Sequence, residues 1–433
     1  MADRRTFVKT AGAIAGSLAV AGMTSPVFGK DMDFEHFMRQ HVPGAMNGGG
    51  SDEDFWSWVK DSYTVSDTPI NLNNGGVSPQ PKVVQDMHKQ YLDLCNEGPS
   101  YYMWRILDQG REPLRTKLAD LAGCSAEEIA IDRNTTEALN SVIFGMNLKP
   151  GDEVVLAKQD YPNMINAWKQ REKRDGIKLV WIDLKLPSEN NEEMTNAYVS
   201  AFTSRTKVVH ITHVINWTGQ IIPVKDIARK AHAQGIEVLV DGAHSFAHFE
   251  YKIPDLECDY FGTSLHKWLC APLGSGMLYI KKDKIKNIWP LLSNDNPESD
   301  DIRKFESLGT RNFASEMAIS TAIDFHYIIG GKRKEERLQF LKNYWAEKAL
   351  KIPGVKLGTS LKPEFSCALA IFTIDGITTS DLENKLLAKY KIHTSPINWE
   401  LGNIHGVRVT PSVYTSTREL DILVNAIEEI AKK

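Results

Sequence analysis

The chain has 433 residues, of which 42% are hydrophobic and 24% charged, with a formal net charge of −4. That is a globular composition with enough length for two or three domains. It carries no strong basic field, so nucleic acid is not an expected partner. Cys95, Cys124, Cys258, Cys270 and Cys367 are widely spaced, with no C-x-x-C. Neither a zinc site nor a disulfide framework is expected, and each cysteine reads as a small buried hydrophobe.

The first 29 residues stand apart. "DRRTFVKTAGAIAGSLAVAG" places Arg4 and Arg5 ahead of Phe7 and Lys9, then a Gly/Ala-rich run from Ala11 to Ala21. The run is too short and too weakly apolar to span a bilayer as a mature helix. It matches a bacterial twin-arginine export signal, with Ala19-Val20-Ala21 as a small-x-small cleavage site. The expectation is passage of the folded protein through the twin-arginine machinery to the periplasm. Residues 30–66 read as a polar N-terminal arm, broken by "MNGGGSDED".

From "PINLNNGGVSPQP" a turn-rich segment leads into the helical "KVVQDMHKQYLDLC". Strands and helices then alternate. "EEIAIDR" (Glu127 to Arg133) runs into "NTTEALNSVIFGMNL", where Asn134 and Glu137 make an N-cap and N3 pair. Leu139, Val142, Ile143 and Met146 lie on one face of that helix. "EVVLAK", "KLVWIDL", "KVVHITHV" and "IEVLVD" are short apolar runs suited to a parallel sheet buried on both faces, and "GSGMLYIKK" is another strand. After about Gly330 the pattern changes to a helix from Lys334 to Lys351, the strand "CALAIFTID" and a last helix. That helix starts at Ser416 with Glu419 at N3, and buries Leu420, Leu423, Ile427 and Ile430. The expected organisation is a large α/β domain over 67–310 and a smaller α+β domain over 311–433.

In open α/β sheets ligands collect at the carboxyl ends of the strands. The ends met here present, in order, Thr135 and Thr136 at a helix N-terminus, Tyr161, Asn216, then Asp241 with His244, and finally Ser264, His266 and Lys267. Lys267 sits in "FGTSLHKWLC", among apolar and small residues. Such a lysine either snorkels to water or is a desolvated amine that attacks a carbonyl. Singly, most of these residues have ordinary structural roles; an aspartate at a strand end is often a turn residue. Together they suit a flat, phosphorylated pyridine aldehyde. Lys267 would form its Schiff base, and Asp241 would hold the ring nitrogen protonated. Asn216 and His244 would meet the ring hydroxyl, and Tyr161 would stack on the ring. Thr135, Thr136, Ser264 and His266 would bind the phosphate through hydroxyls and free helix N–H groups.

The blocks "HVINWTGQIIPV", "VDGAHSFAHF" and "DYFGTSLHKWLCAPLGSGMLYIKK" resemble the class-V aminotransferase family of pyridoxal-phosphate enzymes, and within it the isopenicillin-N epimerase-like branch. The resemblance covers the chain from about Asn71 to its end. It implies fold type I, with a mostly parallel seven-stranded sheet in the large domain. It also implies pyridoxal 5'-phosphate as cofactor and an amino-acid-type substrate. "LNNGGVSPQP" resembles that branch's opening motif and puts Asn74 with the substrate. "SLGTRNF" resembles the segment whose threonine, here Thr310, reaches the partner subunit's phosphate, which implies a homodimer. "HGVRVTPSVYTSTREL" resembles the stretch carrying the arginine for the substrate carboxylate, here Arg408.

Desulfurases of the family carry a reactive cysteine shortly before that arginine, whereas "HTSPINWELGNIHGVRV" has none. The branch implies epimerisation; transamination and C–S or β-elimination remain alternatives. A non-catalytic binding protein on this fold would be marked by replacement of Lys267 or Asp241, and both are present. Changing Arg4 and Arg5 together to lysine is expected to trap full-length precursor inside the cell on fractionation. Normal processing and export of that variant would refute the export signal.

Overall fold

A computed structural model describes residues 52–432. The expected signal at 1–29, and residues 30–51 of the expected arm, lie outside them. The described end of the arm is a helix, α1 (Glu53–Asp61), capped by Asp52, whose carboxylate accepts the Phe55 N–H at 3.1 Å. Phe55, Trp56 and Val59 are buried in a cluster with Trp268, Phe325, Leu338 and Tyr414. The arm therefore ends docked against both parts of the molecule.

Two helices, α2 (Lys82–Glu97) and α3 (Arg111–Ala122), precede the main sheet. The alternating region then forms β2 (Ile129–Asp132), α4 (Thr135–Gly145), β3 (Glu153–Ala157), α5 (Pro162–Asp175), β4 (Lys178–Ile182), α6 (Asn191–Val199), β5 (Thr206–Thr212), α7 (Val224–His232) and β6 (Glu237–Asp241). It closes with β7 (Tyr260–Ser264) and β8 (Gly276–Ile280). A two-residue strand, β1 (Ile70–Asn71), lies outside this sheet.

The large sheet has seven strands in the order β2-β8-β7-β6-β5-β3-β4. From β7 to β4 all neighbours are parallel, and β8 runs antiparallel to both β7 and β2. The expected seven-stranded, mostly parallel architecture is thus present. Strand alternation splits the apolar runs between two faces. Val155, Val209, Val238 and Phe261 face a core shared with α3 and α7. Val154, Val208, Leu239 and Tyr260 face one shared with α4 and α5. β2 is an edge strand, and its Ile131 N–H is occupied by the buried Glu306 carboxylate at 2.7 Å, which protects that edge.

Helix α8 (Phe313–Ile329) adds Phe313, Ile319 and Ile323 to the core of the large sheet. The expected boundary near 310 falls just ahead of it. α9 (Gly331–Ala349) then leads to β9 (Val355–Leu357), β10 (Ala370–Ile374), α10 (Thr379–Tyr390), β11 (Ile392–His393), β12 (Ser395–Trp399), β13 (Ile404–Val409) and α11 (Thr417–Ala431). Four of these strands make an antiparallel sheet ordered β12-β13-β10-β9. Ser416 and Glu419 form the expected capping box, and α11 buries Leu420, Leu423, Ile427 and Ile430 as the periodicity predicts.

The segment before α2 is what ties the two sheets together. β1 pairs in parallel with β11, and Asn73 pairs with Thr410 just beyond β13. Two glycines permit the close approaches on which the site depends. A Cβ at Gly242 would run into the Phe261 ring, and one at Gly276 would meet the Asn134 backbone at the start of α4.

Candidate active site

Lys267 lies three residues beyond β7, in a turn closed by Cys270 N–H to Lys267 C=O at 3.2 Å and Ala271 N–H to Leu265 C=O at 3.1 Å. Cys270 has φ +57°, an uncommon conformation for a residue with a side chain. Burial of Leu265, Leu269 and Cys270, and of Trp268 stacked face to face on His248 at 3.7 Å, fixes the turn. Held this way, Lys267 projects inward and its Nζ lies 3.1 Å from His244 Nε2.

Burial favours the neutral amine and the nearby Asp241 charge opposes it, while Arg408 adds repulsion. The Lys267 pKa is lowered to about 8. Burial, with the charges of Lys267 and Arg408, also holds His244 neutral, well below its ordinary range. A neutral His244 that accepts the lysine proton donor at Nε2 carries its own proton on Nδ1. That buried Nδ1 has no protein partner among the described residues.

Asp241 ends β6, opposite Thr212 of β5 and Gly262 of β7. Its Oδ1 accepts the Ala243 N–H at 2.9 Å. Burial pushes its pKa up, with the Ala243 N–H and the Lys267 charge pulling the other way. A buried carboxylate of this kind gains from a further cationic N–H partner.

Of the residues expected to bind an anion, Thr135 and Ser264 meet at the start of α4. Asn134 caps the helix by accepting the Glu137 N–H at 3.0 Å. Thr135 N–H donates to Ser264 Oγ at 3.0 Å, and the two hydroxyl oxygens lie 2.7 Å apart. This pair spends one N–H of the first turn, while Thr136 N–H has no protein acceptor among the described residues. His266 Nδ1 lies 3.1 Å from Ser275 C=O, which leaves Nε2 for another partner. Helix-start N–H groups, hydroxyls and an imidazole suit a phosphate.

The remaining candidate residues come from both domains. Arg408 of β13 is buried, donating from Nη1 to Asn216 C=O at 2.8 Å and from Nη2 to Asn73 Oδ1 at 3.0 Å. Burial lowers its pKa only to about 10, so it stays charged at neutral pH. Asn216 is buried, and its Oδ1 has no partner among the described residues. Tyr161 is 39% exposed at the N-terminus of α5.

Asn74 is engaged within the protein, donating to Thr410 C=O at 2.9 Å and accepting from Tyr414 Oη at 2.6 Å. Its neighbour Asn73 meets Arg408, a role that nothing local in "LNNGG" distinguishes. Thr310 is exposed in the turn before α8, with no hydrogen bond to the other candidate residues among the described ones. Trp217 directly follows Asn216, and it and Trp399 were passed over in the sequence although both border this region.

The site thus joins a doubly covered α/β sheet, a half-buried lysine at its carboxyl edge, a nearby aspartate and an arginine from a second domain. The Aminotransferase class-V family matches residues 70–423, and the chain belongs to that family. It is similar to isopenicillin N epimerase of Amycolatopsis lactamdurans, 27% identical over 396 residues that cover 87% of this chain and 99% of that one. It is also similar to a cysteine desulfurase of Haloferax volcanii, 26% identical over 83% of this chain and 88% of that one. Among solved structures, the Escherichia coli cysteine desulfurase CsdA matches with a TM-score of 0.77 at 22% identity, covering 87% of this chain and 98% of that one.

Family membership implies pyridoxal phosphate, and the unpartnered groups fit it. Asp241 is a buried carboxyl whose charged form burial disfavours, Asn216 Oδ1 and His244 Nδ1 are buried without protein partners among the described residues, and the start of α4 offers an anion site.

The opposing charges around Lys267 can be titrated. Carbamylation of Lys267 by cyanate in the cofactor-free protein, followed by peptide mapping, is expected to rise through a midpoint near pH 8 as the amine loses its proton. Asp241→Asn removes the charge that retains the proton and is expected to lower that midpoint. Arg408→Ala removes a repelling charge and is expected to raise it. Shifts in the same direction would contradict the arrangement.

Proposed function

We propose that this chain is a pyridoxal-phosphate enzyme that epimerises the α-carbon of an amino acid or an amino-acid-derived substrate, as isopenicillin N epimerase does by name. The observation that carries the choice of reaction is the state of the thiols. Cys258, Cys270 and Cys367 are buried. Burial pushes the pKa of Cys95 up and that of Cys124 up to about 12, and raises those of the three buried thiols as well. Sulfur transfer needs an accessible thiolate, and none of the five cysteines is placed to supply one. This argues against desulfuration despite the similarity to desulfurases.

When bound, pyridoxal phosphate withdraws electrons from the α-carbon of an attached amino acid and so acidifies its Cα–H bond. Thr135, Thr136, Ser264 and His266 would hold the phosphate, and Asp241 the ring nitrogen. Asn216 and His244 would meet the ring hydroxyl, and Tyr161 the ring face. Arg408 would grip the α-carboxylate. Lys267, half-deprotonated at about pH 8, would take the Cα proton, and a proton delivered to the opposite face would invert the centre. Positioned acid–base groups of this kind contribute roughly 10²–10⁴-fold to rate. Transamination and C–S or β-elimination are the competing outcomes of the same proton removal. A purely binding role is disfavoured because Lys267 and Asp241 are both retained.

The test is incubation of the holoenzyme with single L-amino acids in D₂O. The expected product is the D-enantiomer bearing deuterium at Cα, lost by at least about 10²-fold in Lys267→Ala. Keto acid as the main product would replace epimerisation with transamination, and pyruvate with ammonia or sulfide would replace it with elimination.

The twin-arginine export of residues 1–29 to the periplasm is a proposal resting on the sequence. A homodimer with shared sites is likewise proposed. It is supported by the exposed Leu273, Trp289, Leu291 and Leu292. Leu291 shares a cleft with Thr136, and Asn294 bonds Ser307 close to Thr310 at 2.7 Å. Sedimentation of the holoenzyme under assay conditions is expected to give twice the 48.6 kDa chain mass; an active monomer would exclude shared sites.

A further inference from the structure

The groups assigned so far deal with the α-carboxylate, the α-carbon and the cofactor, and leave the substrate's side chain unplaced. Strand register in the small sheet shows what lies beside the carboxylate anchor. Arg408 pairs with Ser395, Gly406 with Ile397 and Ile404 with Trp399. Because side chains alternate along a strand, these six positions share one face. At roughly 3.3 Å per residue, Trp399 lies about 13 Å along the sheet from Arg408. Between them Gly406 contributes no side chain, and Ile397 and Ile404 form an apolar floor with Ile371.

Trp217, from the loop that also supplies Asn216, closes over this floor. Its indole stacks on Trp399 with centroids 5.2 Å apart and 19° between planes. Tyr161 lies tilted against Trp217 at 6.4 Å and 36°. Both indole N–H groups are spent on successive backbone carbonyls of the loop leading to Tyr161, Trp217 on Gln159 at 3.0 Å and Trp399 on Lys158 at 2.8 Å. Their polar atoms are satisfied by the protein, so the half-buried rings offer carbon surface alone. The result is a rigid aromatic wall that begins beside the guanidinium and continues away from it.

We propose that Tyr161, Trp217 and Trp399 form the side-chain subsite, and that the substrate is an amino acid with a large apolar or aromatic side chain rather than a short one such as alanine or cysteine. This rests on the assignment of Arg408 as carboxylate anchor under the proposed function. Aromatic rings bury large areas and gain from offset or edge contacts with other rings. An occupant of this wall is therefore discriminated from a methyl group at the same anchor.

The experiment uses two carboxylates with no amino group to react, propanoate and 3-phenylpropanoate, titrated calorimetrically into the holoenzyme. The expected result is that 3-phenylpropanoate binds roughly tenfold to a hundredfold more tightly. Trp217→Ala is expected to abolish that preference by weakening 3-phenylpropanoate roughly tenfold or more relative to propanoate. Trp217→Phe is expected to keep most of the preference, which separates loss of the wall from loss of the fold, and Trp399→Leu is expected to reduce it. Arg408→Ala is expected to weaken both ligands by a similar factor. Equal affinities in the wild type, or a preference that survives Trp217→Ala, would overturn the subsite and leave the two indoles as a clamp between the domains. Indifference of both ligands to Arg408→Ala would instead overturn the anchor on which the subsite rests.

Discussion

One amine is held between two opposing charges, and the rest of the site is organised around it. Lys267 must be buried enough to lose its proton near neutrality, yet Asp241 is close enough to keep that proton on. Arg408 shifts the balance back, and the pKa settles at about 8. An isolated buried lysine would be neutral but without a polarising partner. One beside the aspartate alone would stay an ammonium and be a poor nucleophile. The distance of Lys267 from His244 depends on the tight turn after β7. That turn depends in turn on Trp268 being fixed against His248.

Arg408 is the part of this balance that the large sheet cannot supply by itself. It reaches Lys267's neighbourhood because β13 lies beside the leading segment, where Asn73 pairs with Thr410, and because Asn216 C=O receives its Nη1. The placing of Arg408 and its effect on the lysine therefore rest on the same contact between domains. The Trp399 indole N–H bond to Lys158 C=O runs across the same boundary, and Trp399 stacks there on Trp217. Closure of the small domain on the large one would accordingly set substrate grip, amine basicity and the aromatic wall together.

Membership of the family leaves the reaction open, because relatives of similar identity are named as an epimerase and as a desulfurase, and Lys267, Asp241 and Arg408 by themselves specify no single reaction. The chemistry diverges at groups that these residues do not specify. Burial pushes all five thiols toward the protonated form. The space beside Arg408 is bordered by the rings of Trp217 and Trp399 over Ile371, Ile397 and Ile404. Fold similarity to desulfurases at 22% identity bears on the scaffold, and the side chains around the anchor bear on the reaction.

The sequence by itself determined the strands whose apolar runs are continuous, because a strand buried on both faces has no room for polar residues. It also determined the helices at Asn134 and Ser416, because capping is a local contact between side chain and backbone. The strand-end residues from Thr135 to Lys267 were legible for the same reason: in a parallel sheet all carboxyl ends point one way, so their turns converge whatever the intervening helices do. Only the tertiary structure decided the docking of α1, which reads locally as polar arm but buries Phe55 and Trp56 against partners far along the chain. It also decided that Asn73 supports Arg408 while Asn74 is consumed by Thr410 and Tyr414. The stacking of Trp217 on Trp399 was likewise invisible, since the two lie 182 positions apart, one in the loop after β5 and the other in the small sheet. Contacts of that kind are set by the register of strands and by the way one sheet seats on another, and no periodicity or spacing within a single segment encodes them.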